Sequence, residues 1–251
     1  MNIFLPVIAY GGQVHTEFML SMVNFIQSRT IDEQVTLHPI NSESLISRGR
    51  NAAAAFFLQS ECDYMLFVDT DMSFSVRDFN QLVELKKPLA IGAYCKKYIS
   101  EQKLKKYCDL NQYKFEDDWR SYITDFSTEI PAEFWGTVED PPKHIKVNYG
   151  ATGFMLIHRS VFETIIEKRP DLKYTNDIDF YMGAGDNFYD FFSVKVNPTT
   201  KKYESEDYGF CQLWRECGGE IHCATDTNLV HIGRYHYTGN LYKQLDFFWN
   251  A

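Results

Sequence analysis

The chain has 251 residues, of which 45% are hydrophobic and 24% charged, a balance that suits one folded domain with a sizeable core and excludes disorder of the bulk. A formal net charge of −9 argues against non-specific binding to nucleic acid or an anionic membrane, because most of the surface repels a polyanion. The six cysteines (Cys62, Cys95, Cys108, Cys211, Cys217 and Cys223) form no CxxC pair or zinc spacing, and the opening "MNIFLPVIAYGG" lacks a basic region and is too short for a membrane span, so a reducing, cytoplasmic setting is expected, a host cytoplasm included.

Residues 2 to 10, "NIFLPVIAY", predict a buried strand stopped by Gly11 and Gly12. "TEFMLSMVNFI" then sets Phe18, Met22, Phe25 and Ile26 at helical spacing. "QVTLHPI" reads as a second strand, "ESLISRGRNAAAAFFLQSE" as an alanine-rich helix with Arg48, Arg50 and Asn51 on its polar side, and "YMLFV" as a third strand. Ser75 and Asp78 have the spacing of a capping box, with Asp in place of Glu, ahead of the helix "FNQLVEL". "PLAIGAY" is a fourth strand. Strands alternating with helices imply an α/β fold with a mostly parallel sheet covered on both faces. Residues 96 to 146 break the rhythm and read as an insertion over the sheet edge, with "KKYISEQKLKK" as a solvated helical face. "YGATGFMLIHRSVFETIIEK" restores a strand and helix, and "ESEDYGFCQLWRECGGE" predicts a helix capped by Ser205 and stopped by Gly218 and Gly219.

The stretch "YMLFVDTDMSF" runs a buried strand into two carboxylates. Alternation along a strand points Asp69 and Asp71 the same way, at the end where open α/β sheets bind ligands. Two ionised carboxylates there call for a cation, a basic side chain or helix-terminal amides. One reading is a phosphatase of the haloacid dehalogenase type, with the first Asp as nucleophile and "GDNFYD" (185–190) as a later magnesium motif. Against it, two strand-helix units precede the pair, and no clean apolar strand precedes "GDNFYD". The other reading is a divalent cation clamping the diphosphate of a sugar nucleotide. A sugar-binding module without turnover is a third, but it has no use for both a diphosphate clamp and an acidic base.

Five stretches in order resemble the GT-A glycosyltransferases: "LPVIAYGGQVHTEFMLSM", "SRGRNAAAAFFLQSECDYMLFVDTDM", "YGATGFMLI", "ESEDYGFCQLWRECGGEI" and "LVHIG". Together they cover most of residues 2 to 240, and brevity is shared with the small bacterial and large-DNA-virus members. The resemblance implies a single domain, with a nucleotide-binding half at about 1–95, the insertion at about 96–146, and an acceptor and metal-completing half at about 147–251. It implies a transferase using Mn²⁺ or Mg²⁺ and a nucleotide sugar, UDP-linked by preference, acting on a glycan or glycoprotein and inverting the anomeric centre.

By the same resemblance Asp71, Asp69 and His231 hold the metal, with His236 the alternative to His231. Ala9, Tyr10, Arg48, Asn51, Asp69 and Gly153 contact the donor, and Arg48 and Asn51 also reach the aspartate pair. Asp207 is the base and Glu206 holds the acceptor, with Trp135, and beside it Phe134 and Trp119, as a stacking wall. The helix start is expected to keep Asp207 ionised. A glycine at 153 is expected to leave room for the sugar.

Overall fold

The computed structural model describes residues 1–30, 33–112, 114–115, 118–134 and 141–249. Apolar runs form β1 (Ile3–Ala9) and β3 (Tyr64–Val68), and the more polar, largely exposed "VTLHPIN" forms β2 (Val35–Asn41) at the sheet edge. Between them lie α1 (Thr16–Gln27), which buries Phe18, Met22 and Phe25 but leaves Ile26 partly exposed, and α2 (Ile46–Gln59). Ala52 to Ala55 in α2 are wholly buried, so four small side chains bring that helix close onto the sheet. After the two-residue β4 (Met72–Ser73), α3 (Val76–Glu84) starts on the expected capping box: Asp78 N–H donates to Ser75 Oγ and Ser75 N–H donates to Asp78 Oδ2. β5 (Leu89–Gly92) follows.

The segment read as an insertion begins with a strand, not a helix. β6 (Cys95–Ile99) precedes α4 (Glu101–Leu110) and pairs antiparallel with β7 (Thr124–Phe126). β8 (His144–Val147) joins the main sheet as an edge strand. β9 (Phe154–His158) and α5 (Arg159–Lys168) come next, then the short β10 (Lys195–Val196) and β11 (Tyr203–Glu204). The chain continues through α6 (Glu206–Glu216), β12 (Ile221–Ala224), β13 (Val230–Ile232), β14 (His236–Thr238) and α7 (Leu241–Trp249).

The main sheet has seven strands in the order β2-β1-β3-β9-β5-β12-β8. β9 runs against both neighbours and β8 against β12, while the other five strands point one way. The mostly parallel α/β architecture expected from the sequence is therefore present, with a reversed strand at its centre. That reversal positions the site. An antiparallel strand begins where its parallel neighbours end, so the residue before β9 meets the residue after β3, and Asp69 N–H donates to Gly153 O at 3.2 Å. A second sheet, β14-β13-β4, is antiparallel and sets His231 opposite Met72. Ile232 N–H donates to Asp71 O at 2.7 Å, and this pairing carries the late histidine to the aspartate pair.

Candidate active site

A cleft of about 350 Å³ opens at the C-terminal ends of β1 and β3, lined by Ile8, Arg50, Asp69, Asp71 and Glu206 among others. Asp69 and Asp71 both face it, and each is already charge-compensated. Arg50, deep in α2, donates from Nη2 to Asp69 Oδ1 at 2.9 Å and from Nε to Glu206 Oε1 at 3.2 Å. Burial disfavours the Arg50 charge, but Asp69 and Glu206 outweigh it and raise its pKa. Asp71 Oδ2 accepts from the Lys97 ammonium and stands 3.7 Å from His231 Nε2. Burial alone would raise the Asp71 pKa; the Lys97 ammonium, together with His231 when its ring carries both protons, reverses the sign and holds it at about 2.

His231 has a defined tautomer. Its Nδ1 lies 2.8 Å from the Cys95 carbonyl oxygen, which can only accept, so Nδ1 carries the proton. In the neutral ring Nε2 then keeps a lone pair beside the Asp71 carboxylate. Two such donors attract whatever cation can lie between them. Donors about 2.1 Å from one shared ion stand roughly 3–4 Å apart, which the Asp71–His231 spacing meets. Among the described residues no group of three His, Cys, Asp or Glu side chains is arranged to hold a metal, and Asp69 has turned one oxygen to Arg50. The pair therefore offers two ligands to an ion such as Mg²⁺ or Mn²⁺, whose remaining ligands would come from outside these side chains. His236 instead pairs with Glu17 at 3.2 Å.

Asp207 sits in the first turn of α6 with Glu206. Ser205 precedes the helix but does not cap it; its hydroxyl donates to Asp207 Oδ1, which also accepts from Tyr208 N–H at 2.8 Å. The expectation that the helix start keeps Asp207 readily ionised is corrected. Burial is the largest influence and raises its pKa, opposed by the Ser205 hydrogen bond and assisted by Glu206. Gly209 fixes this turn, since a Cβ there would come within 2.3 Å of the Ser193 carbonyl oxygen.

Several donor-side residues make contacts other than those the resemblance implies. Asn51 is buried, donates to Asp190 at 3.0 Å and accepts from Phe192 N–H at 2.9 Å, pinning that loop. Arg48 makes a two-pronged pair with Glu43, 2.7 and 2.9 Å. Neither meets the aspartate pair; Arg50 does, and it is buried where a polar helix face was expected. Ala9 is buried at the end of β1 and Tyr10 is 69% exposed, while Ile8 lines the cleft. Gly153 is required for a different reason from the one expected: a Cβ would fall 2.4 Å from the Tyr94 hydroxyl oxygen, so Tyr94, not open ligand space, demands the glycine. Trp135 lies outside the described residues. Trp119 packs edge-on against Phe115 with Arg120 over its ring, and Phe134 packs against the core. Of the "GDNFYD" stretch, Asp186 pairs with Lys173 and Asp190 with Asn51 and Ser193.

No protein-family model matches the chain, and no curated protein matches it. Among solved structures, GalNAc-T7 with UDP, GalNAc and Mn²⁺ superposes with a TM-score of 0.50 at 11% identity, over 92% of this chain and 44% of that one. The fold is GT-A-like. The chain thus spans less than half the length of that transferase. A197 from STIV matches over 96% of this chain and 95% of its own at 14% identity, with a TM-score of 0.49.

Three residues of the GT-A-like cleft escaped the sequence reading. Tyr94 follows the strand "PLAIG", accepts from Gly153 N–H at 3.2 Å and sets its ring edge-on to His231, with centroids 5.3 Å apart. Its place just past a buried strand end was the available signal. Arg50 could have been flagged as a cation two residues before an alanine run that packs on the sheet. Lys97 carries no local signal, because one lysine of "CKKY" looks like the next until the strand register assigns its face.

Proposed function

We propose that the chain is a metal-dependent glycosyltransferase that moves a sugar from a nucleotide diphosphate sugar, UDP-linked by preference, to a hydroxyl of a glycan or glycoprotein with inversion. The observation that carries this reading is the Asp71–His231 pair, two donors 3.7 Å apart at a cleft on a GT-A-like sheet. The neighbour GalNAc-T7 was solved with UDP, GalNAc and Mn²⁺, which supports the same ligand class here. A divalent cation on Asp71 and His231 would supply charge neutralisation of the leaving diphosphate. Arg50 holds Asp69 and Glu206 in fixed positions, so the cleft's acidic wall is set before ligands arrive. Asp207 takes the proton from the attacking hydroxyl. Both its hydrogen bonds fall on Oδ1, which leaves Oδ2 for that proton, and its raised pKa makes the ionised form the stronger base. Glu206 gives Oε1 to Arg50 and keeps Oε2 for an acceptor hydroxyl.

Calorimetry of UDP with and without Mn²⁺ tests the reading. Wild-type protein should bind UDP in a Mn²⁺-dependent way, and Asp71→Ala should lose that dependence while keeping its melting temperature within a few degrees. Undiminished Mn²⁺-dependent affinity in the variant would sink the assignment. Turnover of a generic phosphate ester would favour a phosphatase instead, and retention of the donor's anomeric configuration by NMR would remove Asp207 from the role of base.

A further inference from the structure

Asp71 Oδ2, the oxygen that faces His231 Nε2, is the same oxygen that the Lys97 ammonium contacts. One carboxylate oxygen cannot serve an ammonium and a divalent ion in the same place. Lys97 reaches it from β6, with its stem laid against the turn between β13 and β14: a Cβ on Gly233 would meet Lys97 Cδ and the Tyr237 ring, each at 3.2 Å. The stem is therefore guided, and the side chain as a whole is 38% exposed. A lysine ammonium is a point charge on a flexible stem, held here by a half-exposed ion pair that is weak and readily exchanged.

Building on the transferase reading of this cleft, we propose that Lys97 is an exchangeable counter-ion. It neutralises Asp71 in the cation-free cleft, yields that oxygen to the divalent ion, and then pairs with the diphosphate that enters with the ion. Two consequences oppose each other in sign. Bare cation must displace the ammonium and so binds more weakly than it would without Lys97. Cation with diphosphate binds more tightly, because the displaced ammonium gains a new anion. The cleft thereby discriminates against free metal in favour of the metal–nucleotide pair.

The test is a pair of calorimetric titrations of the full chain, Mn²⁺ alone and UDP at saturating Mn²⁺, on wild type, Lys97→Met and Lys97→Gln. Both replacements keep an extended stem along Gly233, so two independent variants guard against a folding artefact. Removing the ammonium should tighten Mn²⁺ alone about tenfold and weaken UDP with Mn²⁺ about tenfold, the scale of one hydrogen bond to a charged group. Lys97→Arg, which keeps the charge, should hold UDP affinity at saturating Mn²⁺ near wild type. Affinities that move in the same direction, or do not move, would overturn the exchange role while Mn²⁺-dependent UDP binding by wild type left the transferase reading standing. Absence of that binding in wild type would overturn both.

Discussion

Asp69 and Asp71 stand one residue apart and are neutralised in different ways. Asp69 is held by Arg50, whose side chain is 5% exposed and which also grips Glu206; Asp71 is held by Lys97, whose side chain is 38% exposed and which, among the described residues, pairs with Asp71. The guanidinium has a fixed fork for two carboxylates on two elements, so it joins α2, the end of β3 and the start of α6 into one rigid wall. The ammonium has no such fork and can leave. Both aspartates lie in the turn that follows β3, not in the strand itself, and Thr70 between them lines the cleft as well; Asp69 is tied to the body of the sheet through Gly153 and Asp71 to β13 through Ile232. The cleft thus has a buried, cross-linked side at Asp69 and a more exposed side at Asp71, the one where the proposed cation would sit.

The sharpest way to break this contrast is Arg50→Met. It strands Asp69 and Glu206 without their common partner, and losing one member of a buried ion pair costs about 3–5 kcal/mol. At this chain length that lowers the melting temperature by roughly 10 °C. Lys97→Met, on the other side, should cost under about 1 kcal/mol, the scale of an exposed pair. Equal losses in thermal scans of the two variants would show that the two sides are not distinct.

The next effect in size concerns Asp207, which belongs to the cross-linked side through Glu206. Asp207→Asn keeps an acceptor oxygen for Ser205 and Tyr208 but cannot take a proton. Transfer should fall by roughly 10² or more, the usual contribution of a general base, while Mn²⁺-dependent UDP affinity on the more exposed side stays within about twofold. Near-normal transfer by the Asn variant would return Asp207 to a structural role.

How much of this was legible before the structure depended on how local each signal is. The capping box of Ser75 and Asp78, the alanines of α2 and the strand before Asp69 follow from residues within one turn or strand, and all appear where expected. The reversed strand β9 was not legible, because an apolar run reads the same whichever way its neighbours point. Arg50 and Asn51 were read as a polar face because they carry polar atoms, yet both are buried with partners far along the chain: Asp69 and Glu206 for one, Asp190 and Phe192 for the other. A buried polar residue is identified by its partner, and the sequence alone does not place that partner. Gly153 shows the same limit. Its need for a missing side chain was legible, but not that the Tyr94 ring fills the space.

The smallest expected effect is on stability, and its sign separates a catalytic carboxylate from a helix cap. Burial raises the Asp207 pKa in the folded chain, so near its titration the folded state binds more protons than the unfolded one. The stability tied to that proton is complete below the unfolded pKa and is lost as pH rises through the raised folded value. Above that window the ionised carboxylate is a cost, because burial and the neighbouring Glu206 both oppose its charge. The melting temperature of wild type minus that of Asp207→Asn should therefore fall as pH rises from the acid side and level off once the folded carboxylate is fully ionised. There the variant should match or exceed wild type by at most about 4 °C, the shift that ~1 kcal/mol produces. A cap stabilised by its charge would give the reverse slope, with wild type gaining on the variant as pH rises. That slope in thermal scans would show that the helix terminus, and not the buried surroundings of the cleft, governs this residue.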